Sequence, residues 1–370
     1  MLSELFLPVV SEESHSNLNI RVASVYDDKE LSWADVFMFG FGEDRNSDNN
    51  GAGQAADVIR RILYSLHDTS LPLHCIDLGN CRQGYSVAES YENLATAMQE
   101  LSAYDKPVVI YGGTQEAVAY LTKTGFGNIA YPALSLVDAQ IDVNVENEDF
   151  SNKQYLQRIV AEYPNVRLIH IASQEYLSSR ESFSWWKSHN FTCKRLGECS
   201  QSDRVEPLLR DAQVVSFDMN AFRYSDNPAG RNVNGLYSET ACQFAWNSGY
   251  SPRMNVFFLS GFNPTKDVDG ISAQLAAQIV WHVLDGISQR KHETGDFSDV
   301  SYEKFHLRHS MFPKNICFYR STVSQTLWVE VPIGSTGKNR IIPCSQFDFD
   351  QFCSGVIPTD WMVEFQRLSE

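Results

Sequence analysis

The sequence predicts an α/β fold in which a mostly parallel, doubly wound sheet lies between two layers of helices. Apolar, β-branched or aromatic runs alternate with segments of helical spacing along most of the chain. There is no internal repeat, no low-complexity tract and no Pro/Gly linker long enough to separate two folding units. The predicted strands are DVFMFGFG (35–42), LHCIDLG (73–79), PVVIYGG (107–113), ALSLVDA (133–139), VRLIHIA (166–172), AQVVSFDM (212–219) and MNVFFLSG (254–261).

Segments with helical periodicity separate these strands, as parallel strands require. The predicted helices include AADVIRRILYSLH (55–67), SVAESYENLATAMQELSAY (86–104), NKQYLQRIVAEY (152–163), EYLSSRESFSWWKSHN (175–190) and DGISAQLAAQIVWHVLDGI (269–287). From about residue 296 the sequence changes to short β-prone pieces and loops. We therefore predict an α/β domain over residues 1–295 and a C-terminal extension over residues 296–370 that packs on it.

The amino-acid composition and net charge argue against several classes of protein. The 370 residues include 43% hydrophobic and 21% charged residues, the proportions of a globular protein. The formal net charge of −16 argues against a general nucleic-acid or anionic-membrane binder, because a phosphate partner needs a basic face. No apolar run reaches the length of a membrane span, and the first residues lack a basic signal-peptide region. We expect a cytoplasmic protein.

Cysteine and histidine spacing gives no local support for a zinc site or a disulfide scaffold. The eight cysteines form no C-x-x-C pair, and the nine histidines form no H-x-x-x-H or H-x-H pattern. We expect reduced thiols and no histidine-rich metal site.

Polar residues follow three of the predicted strands at the point where each strand ends. These segments are YGGTQEA (111–117), VDAQIDV (137–143) and SFDMNAF (216–222). Alternate spacing places Asp138, Gln140 and Asp142 on one side of the chain, and likewise Asp218 and Asn220. In open α/β sheets, ligands bind in the crevice beyond the carboxyl ends of the strands. These side chains are therefore predicted to face a common crevice.

In these segments the chain resembles the ureohydrolase family, which includes arginase, agmatinase and formimidoylglutamase. That family carries G-G-D-H, D-A-H-x-D and S-x-D-x-D at three successive strand ends. This chain has Gly112-Gly113-Thr114-Gln115, Asp138-Ala139-Gln140-Ile141-Asp142 and Ser216-Phe217-Asp218-Met219-Asn220. Similar supporting segments are GAGQAADVIRR (51–61), NPAGRNVNGLYSE (227–239) and GFNPTKDVDGISAQLAAQIVWHVLDG (261–286). The resemblance covers residues 30–290 and implies the arginase fold, a crevice for two manganese ions and a homo-oligomer, a trimer or hexamer.

The chain departs from the family pattern at the metal ligands that the resemblance implies. Gln115 and Gln140 replace the two histidines, Asn220 replaces the last aspartate, and Gly261 replaces the glutamate of the E-x-N-P motif. Amides are weak neutral donors compared with imidazole or carboxylate. The family pattern would place one ion among Gln115, Asp138, Asp142 and Asp218, and the other among Gln140, Asp138, Asp218 and Asn220. We therefore predict no full two-manganese centre.

The resemblance also implies a ligand-binding loop and a balance for the remaining carboxylates. The corresponding ligand-binding positions are Asn227, Arg231, Asn232, Asn234 and Glu239. Three carboxylates in one crevice repel one another, so something must offset their charge. The alternatives are a weakly held Mn²⁺, Mg²⁺ or Ca²⁺, raised carboxyl pKa values, or the side chain of Arg223 or Lys266 turned inward.

Two classes of function follow from the resemblance and its departures. The first is a catalytically inactive protein that binds a small-molecule ligand or a protein partner. The second is a hydrolase of guanidino or formimino C–N bonds, similar to formimidoylglutamase, that uses a single atypical ion.

Overall fold

The structure is a computed structural model of the chain. It describes residues 2–9, 18, 20–23, 26–45, 47–143, 154–291, 293, 295–309, 312, 315–334 and 336–369. The first two residues of the helix predicted over 152–163 lie outside this set, and the described helix there covers Tyr155–Glu162.

All seven predicted strands are present, within a few residues of the expected bounds. The strands of the main sheet are β1 (Phe6–Leu7), β2 (Ile20–Val22), β3 (Val36–Gly40), β4 (Cys75–Cys81), β5 (Val108–Tyr111), β6 (Ala133–Val137), β7 (Arg167–Ser173), β8 (Thr192–Arg195), β9 (Val214–Asp218) and β10 (Val256–Ser260). Six of them, β3, β5, β6, β7, β9 and β10, are buried at every residue, which explains their largely apolar sequences.

The main sheet has the order β1-β4-β3-β5-β10-β9-β6-β7-β8, and β2 also pairs with β4. The short β1 runs antiparallel to β4, and the other described pairs are parallel. Parallel neighbours bring their carboxyl ends to one edge. The four central strands β5, β10, β9 and β6 therefore place the three sequence motifs side by side.

Helices cover both faces of the sheet. The described helices before residue 290 are α1 (Leu2–Leu5), α2 (Asp28–Leu31), α3 (Ala55–Ser65), α4 (Val87–Leu101), α5 (Val118–Phe126), α6 (Tyr155–Glu162), α7 (Arg180–Ser188), α8 (Ser202–Asp211), α9 (Ser238–Tyr250) and α10 (Ile271–Ser288). One core layer contains residues of α3, α8, α9 and α10, and the other contains residues of α4, α5, α6 and α7. The predicted three-layer, doubly wound α/β fold is confirmed.

A glycine turn after β5 leads the chain into the crevice. Gly112 has φ +103°, and a Cβ atom there would lie 2.7 Å from the carbonyl oxygen of Phe41. Only glycine meets both conditions without strain. The turn aims the single 3₁₀ turn Gln115–Ala117 at the edge where β6 and β9 end.

The C-terminal extension is more ordered than the sequence predicted. Strands β11 (Tyr302–Leu307), β12 (Ile316–Ser321), β13 (Leu327–Pro332) and β14 (Asn339–Cys344) form an antiparallel sheet. Two helices follow, α11 (Gln346–Cys353) and α12 (Thr359–Ser369). The expectation of β-prone pieces and loops was therefore incomplete: Ser345 caps α11, and the aromatic face of α12 packs Trp361 into the small core of the extension.

No helix among the described residues is long and apolar enough to cross a membrane.

Candidate functional site

The carboxyl ends of β6 and β9 bring two buried carboxyl groups into one electrostatic environment. Asp138 follows β6 and is 5% exposed, and Asp218 is the last residue of β9 and is 7% exposed. Burial raises the pKa of Asp138 well above its usual range, and the charges of Asp218 and Asp142 raise it further. Burial also raises the pKa of Asp218 to about 6, although hydrogen bonds from Asn220 oppose that shift. The ends of the paired strands β6 and β9 thus place Asp138 beside Asp218, and the charge of Asp142 also acts on Asp138.

The two glutamines of the motifs, Gln115 after β5 and Gln140 after β6, differ in burial and in hydrogen bonding. Gln115 is 5% exposed, and its Oε1 accepts a hydrogen bond of 3.0 Å from the Tyr155 hydroxyl. Its Nε2 is buried and has no hydrogen-bond partner among the described residues. Gln140 is half-buried; its backbone N–H donates to Asp138 Oδ1 at 3.3 Å, and its carbonyl oxygen lies 2.9 Å from His170 Nε2. Gln115 therefore offers an unused donor inside the site.

Asn220 lies at the edge of the crevice. Its side chain is exposed, its backbone N–H donates to Asp218 Oδ1 at 2.7 Å, and its carbonyl oxygen accepts from Asn232 at 2.7 Å. The backbone amide thus satisfies one acceptor site of the Asp218 carboxylate.

Glu116 is a site residue that the sequence analysis missed. It is 5% exposed, its Oε1 has no hydrogen-bond partner among the described residues, and burial raises its pKa. Its charge contributes to the raised pKa of Asp218, so the two carboxyl groups are neighbours. A carboxylate placed directly after Gln115 in an otherwise apolar and small stretch was the available signal.

Gly261 stands where the family pattern has a glutamate, and the Asp218 carboxylate lies in the space that a side chain at position 261 would occupy. Its φ is +81°, and a Cβ atom built there would lie 2.5 Å from Asp218 Oδ1. Its N–H donates to the Gly113 carbonyl at 3.0 Å, and its own carbonyl accepts from Asn49 at 2.9 Å. A glutamate cannot replace Gly261 unless the Asp218 side chain and this backbone turn both move.

The predicted ligand-binding loop is brought only partly to the crevice. Asn232 reaches Asn220, and Asn234 donates to the Tyr176 hydroxyl at 3.3 Å. Asn234 also uses its carbonyl to accept from Gln174, whose backbone N–H binds the Ala139 carbonyl. These contacts tie the loop to the end of β6.

The other three predicted ligand-binding residues are placed differently. Asn227 is 1% exposed and donates to the Met219 carbonyl at 2.6 Å, so its amide holds the turn after β9. Arg231 is exposed. Glu239 lies in the first turn of α9 and lines a shallow depression between α9 and α10, which is separate from the carboxylates.

Neither candidate cation is used to balance the carboxylates. Arg223 forms an ion pair of 2.9 Å with Asp226 and lies over the Tyr237 ring. Lys266 donates to Asn49 Oδ1 at 2.7 Å. The inward-turned Arg223 or Lys266 that the sequence left open is therefore not found. Burial does raise the pKa values of Asp138, Asp218 and Glu116, which is another of the ways to offset the charge.

The donor chemistry does not fit a two-manganese centre. Amides stand at three of the positions where the family pattern has stronger ligands, and one of them, Asn220, is exposed. Within the described part of the chain, no three His, Cys, Asp or Glu side chains are grouped closely enough to hold a metal ion.

Sequence comparison relates the chain to formimidoylglutamases. No family model matches the chain. The formimidoylglutamase of Staphylococcus aureus is 22% identical over 268 residues, which cover 67% of this chain and 85% of that protein. That of Staphylococcus haemolyticus is 21% identical over 266 residues, with the same coverage.

Solved structures of this group share the fold. The formimidoylglutamase of Bacillus subtilis matches with a TM-score of 0.66 at 18% identity, over 77% of this chain and 96% of its own. The formiminoglutamase of Trypanosoma cruzi with Mn²⁺ gives 0.65 at 18% identity, over 72% and 97%. The agmatine ureohydrolase of Thermoplasma volcanium gives 0.61 at 17% identity, over 72% and 96%.

Proposed function

This chain is a ureohydrolase-family protein by fold and sequence relationship, and we propose that it binds a ligand or partner without performing the family's two-metal hydrolysis. The observation that carries this proposal is the donor set at the carboxyl ends of β5, β6 and β9. Gln115, Gln140 and Asn220 stand where two imidazoles and a carboxylate would be needed. A two-ion centre lowers the pKa of a bridging water only if both ions are held.

The Asp218 carboxylate supports the same conclusion. It accepts from the Asn220 amide and lies against the Gly261 backbone, where the family pattern has a further carboxylate. Restoring that glutamate would require displacing Asp218, so the substitutions at Asn220 and Gly261 act together. This coupling supports a crevice that does not depend on two ions.

We infer that the ligand of this crevice is neutral and polar. With raised pKa values, Asp138 and Glu116 are more readily protonated than free carboxyl groups, and a protonated carboxyl both donates and accepts. The unpaired Gln115 Nε2 adds a donor. Amides, ureas or a protein backbone segment present matching groups.

A second candidate function rests on Glu116. A fourth carboxyl group gives the crevice the hard oxygen donors that a single Mg²⁺, Ca²⁺ or Mn²⁺ prefers. Such an ion would lower the pKa of a bound water and so favour hydrolysis of a formimino or guanidino C–N bond. Glu116, Asp138, Asp142 and Asp218 would hold it.

The two functions are separated by measuring turnover and metal content on the same preparation. Protein purified without chelator is assayed for formamide release from formimidoylglutamate and for urea release from arginine and agmatine, with added Mn²⁺, Mg²⁺ or Ca²⁺. We expect release at the level of the blank and fewer than one bound ion per chain. Metal-dependent turnover that is lost in Glu116→Gln would instead establish the single-ion hydrolase.

A triple variant tests the assignment of the motifs. Gln115→His, Gln140→His and Asn220→Asp together restore three strong donors, so we expect tighter Mn²⁺ binding by calorimetry. Hydrolysis should remain absent because Gly261 still lacks its carboxylate. The matched control is Gln83→His, which adds one imidazole on the loop after β4. A folded triple variant that binds Mn²⁺ no better than this control would show that the motifs are assigned wrongly.

A further inference from the structure

A cluster of arginines lies where the C-terminal extension meets the α/β domain, at the sheet edge opposite the crevice. The cluster consists of Arg167 at the start of β7, Arg253 before β10, Arg340 on β14 and Arg367 on α12, and the carboxylates Asp211 and Glu364 lie among them. Both carboxylates are buried, with exposures of 0% and 1%. The cluster joins the two parts of the chain.

Four guanidinium groups share these two carboxylates. Asp211 accepts from Arg167 at 2.8 Å, Arg253 at 2.8 Å and Arg340 at 3.0 Å. Glu364 pairs with Arg340, with Arg367 at 2.7 Å and with Arg167 at 3.4 Å. The described ion pairs of these arginines run to no other acid, so the cluster carries two excess positive charges in a chain whose net charge is −16.

The carbonyl groups at the C-terminal end of α8 do not offset this excess positive charge. Its last four carbonyl groups accept hydrogen bonds from neutral donors: Leu208 from Ser135, Leu209 from Ala212, Arg210 from Ser251 and Asp211 from Gln213. A helix C-terminus often binds an arginine because its carbonyls lack partners. Here they have partners, so the guanidinium groups are not needed as caps.

Arg253 presents its remaining donors to a cavity. This cavity has a volume of about 480 Å³, and its lining includes Arg253, Arg340, Tyr131 and Asn255. The Arg253 side chain is 27% exposed, and only its Nη1 forms a hydrogen bond within the described chain. Burial lowers the pKa of Arg253, and the charges of Arg340 and Arg210 lower it further against the opposing effect of Asp211.

We propose that this cavity binds a small oxyanion-bearing ligand, a carboxylate or a phosphate, through the free Nε and Nη2 of Arg253. A guanidinium presents these two N–H groups as a fork that matches two oxygens of such an anion. Arg340 belongs to the extension and Arg253 to the α/β domain, and both line the cavity, so a ligand held here lies where the two meet. The inference is independent of the function proposed for the crevice.

A neighbouring cavity is lined by an arginine whose guanidinium is already bonded to backbone carbonyl groups. It shares Pro252 and Asn255 with the first and is lined by Arg290. Arg290 donates to the carbonyl groups of Gly249 at 2.7 Å and Met254 at 2.9 Å, at the end of α9 and just before β10. This guanidinium serves as a helix cap, so it gives no comparable reason to expect an anion.

The test is a titration of the full chain with sodium phosphate and with citrate, at an ionic strength held constant with sodium chloride. We expect at least one of the two to raise the melting temperature and to give a saturable heat of binding. Saturation by phosphate alone or by citrate alone would identify which oxyanion the cavity prefers. A response no larger than that to sodium chloride, for both anions, would overturn the proposal.

Variants at Arg253 locate the binding. Arg253→Gln should weaken it at least tenfold, and Arg253→Lys, which keeps the charge and loses the fork, should weaken it as well. Arg195→Gln is the matched control, because Arg195 is exposed and pairs with Glu175 elsewhere. If Arg253→Gln fails to fold, the anion affinity of Arg253→Lys decides whether the anion binds at Arg253. Unchanged binding in the folded Arg253 variants would show that the anion binds elsewhere.

Discussion

Glu364→Gln should destabilise the protein strongly at neutral pH and only weakly in acid. Glu364 is 1% exposed, and its guanidinium neighbours, above all Arg340 and Arg167, lower its pKa from 4.5 to about 2 although burial opposes this. A difference of about 2.5 pKa units corresponds to roughly 3 kcal/mol. Because the folded pKa lies below the unfolded pKa, this stability is present above about pH 4.5 and is lost as the pH falls towards 2.

The free energy of unfolding is measured by urea denaturation of the wild type and Glu364→Gln at pH 7 and at pH 3. We expect a difference of about 3 kcal/mol at pH 7 and about 1 kcal/mol at pH 3, from the same linkage relation. Glu92→Gln on the exposed face of α4 is the control and should change little at either pH. A difference for Glu364→Gln that does not shrink in acid would refute the charge-based explanation and leave packing as the cause.

Three further substitutions test local features by urea denaturation. Gly261→Ala should lower the free energy of unfolding by about 1–3 kcal/mol, because the new Cβ meets Asp218 Oδ1 and the positive φ disfavours any side chain. An unchanged stability would mean that this turn differs from the one described. Tyr155→Phe should cost about 1–3 kcal/mol by leaving the buried Gln115 carbonyl unpaired, and a neutral effect would argue against their hydrogen bond. Ser345→Ala removes the cap of α11 and should cost about 1 kcal/mol. Ser345→Thr keeps a hydroxyl that can accept from the Asp348 N–H and donate to its carboxylate, so it should cost less.

The central sheet could be predicted because its strands combine apolar composition with complete burial. Val108–Tyr111 and Val256–Ser260 are buried at every residue, so each reads as a short apolar run that ends in glycine or polar residues. The motif positions followed from the same strands, since their carboxyl ends share one edge. Asp138 and Asp218 are therefore neighbours, as the sequence indicated.

Features that depend on tertiary contacts could not be predicted in this way. Helix α9 begins at Ser238, inside a segment interpreted as a ligand loop, and the C-terminal helices gain their stability from packing against the extension's sheet. The Asp211 cluster joins residues more than 100 positions apart, as its 129-residue separation from Arg340 illustrates. Spacing along the chain carries no signal for such a pairing.

The placement of Glu116 bears on why the crevice persists without strong metal ligands. Buried carboxylates repel one another, and a cation is one way to offset that cost. Here the pKa values of Asp138 and Glu116 are raised, so protonation offers a second way. The amides at positions 115 and 220 fit this alternative, because a neutral amide adds no charge to the crevice. An amide can also donate a hydrogen bond to a carboxylate, as the Asn220 side chain does to Asp218. Histidine and aspartate at those positions would again require ions. The substitutions are therefore mutually consistent with the neutral, polar crevice that we propose.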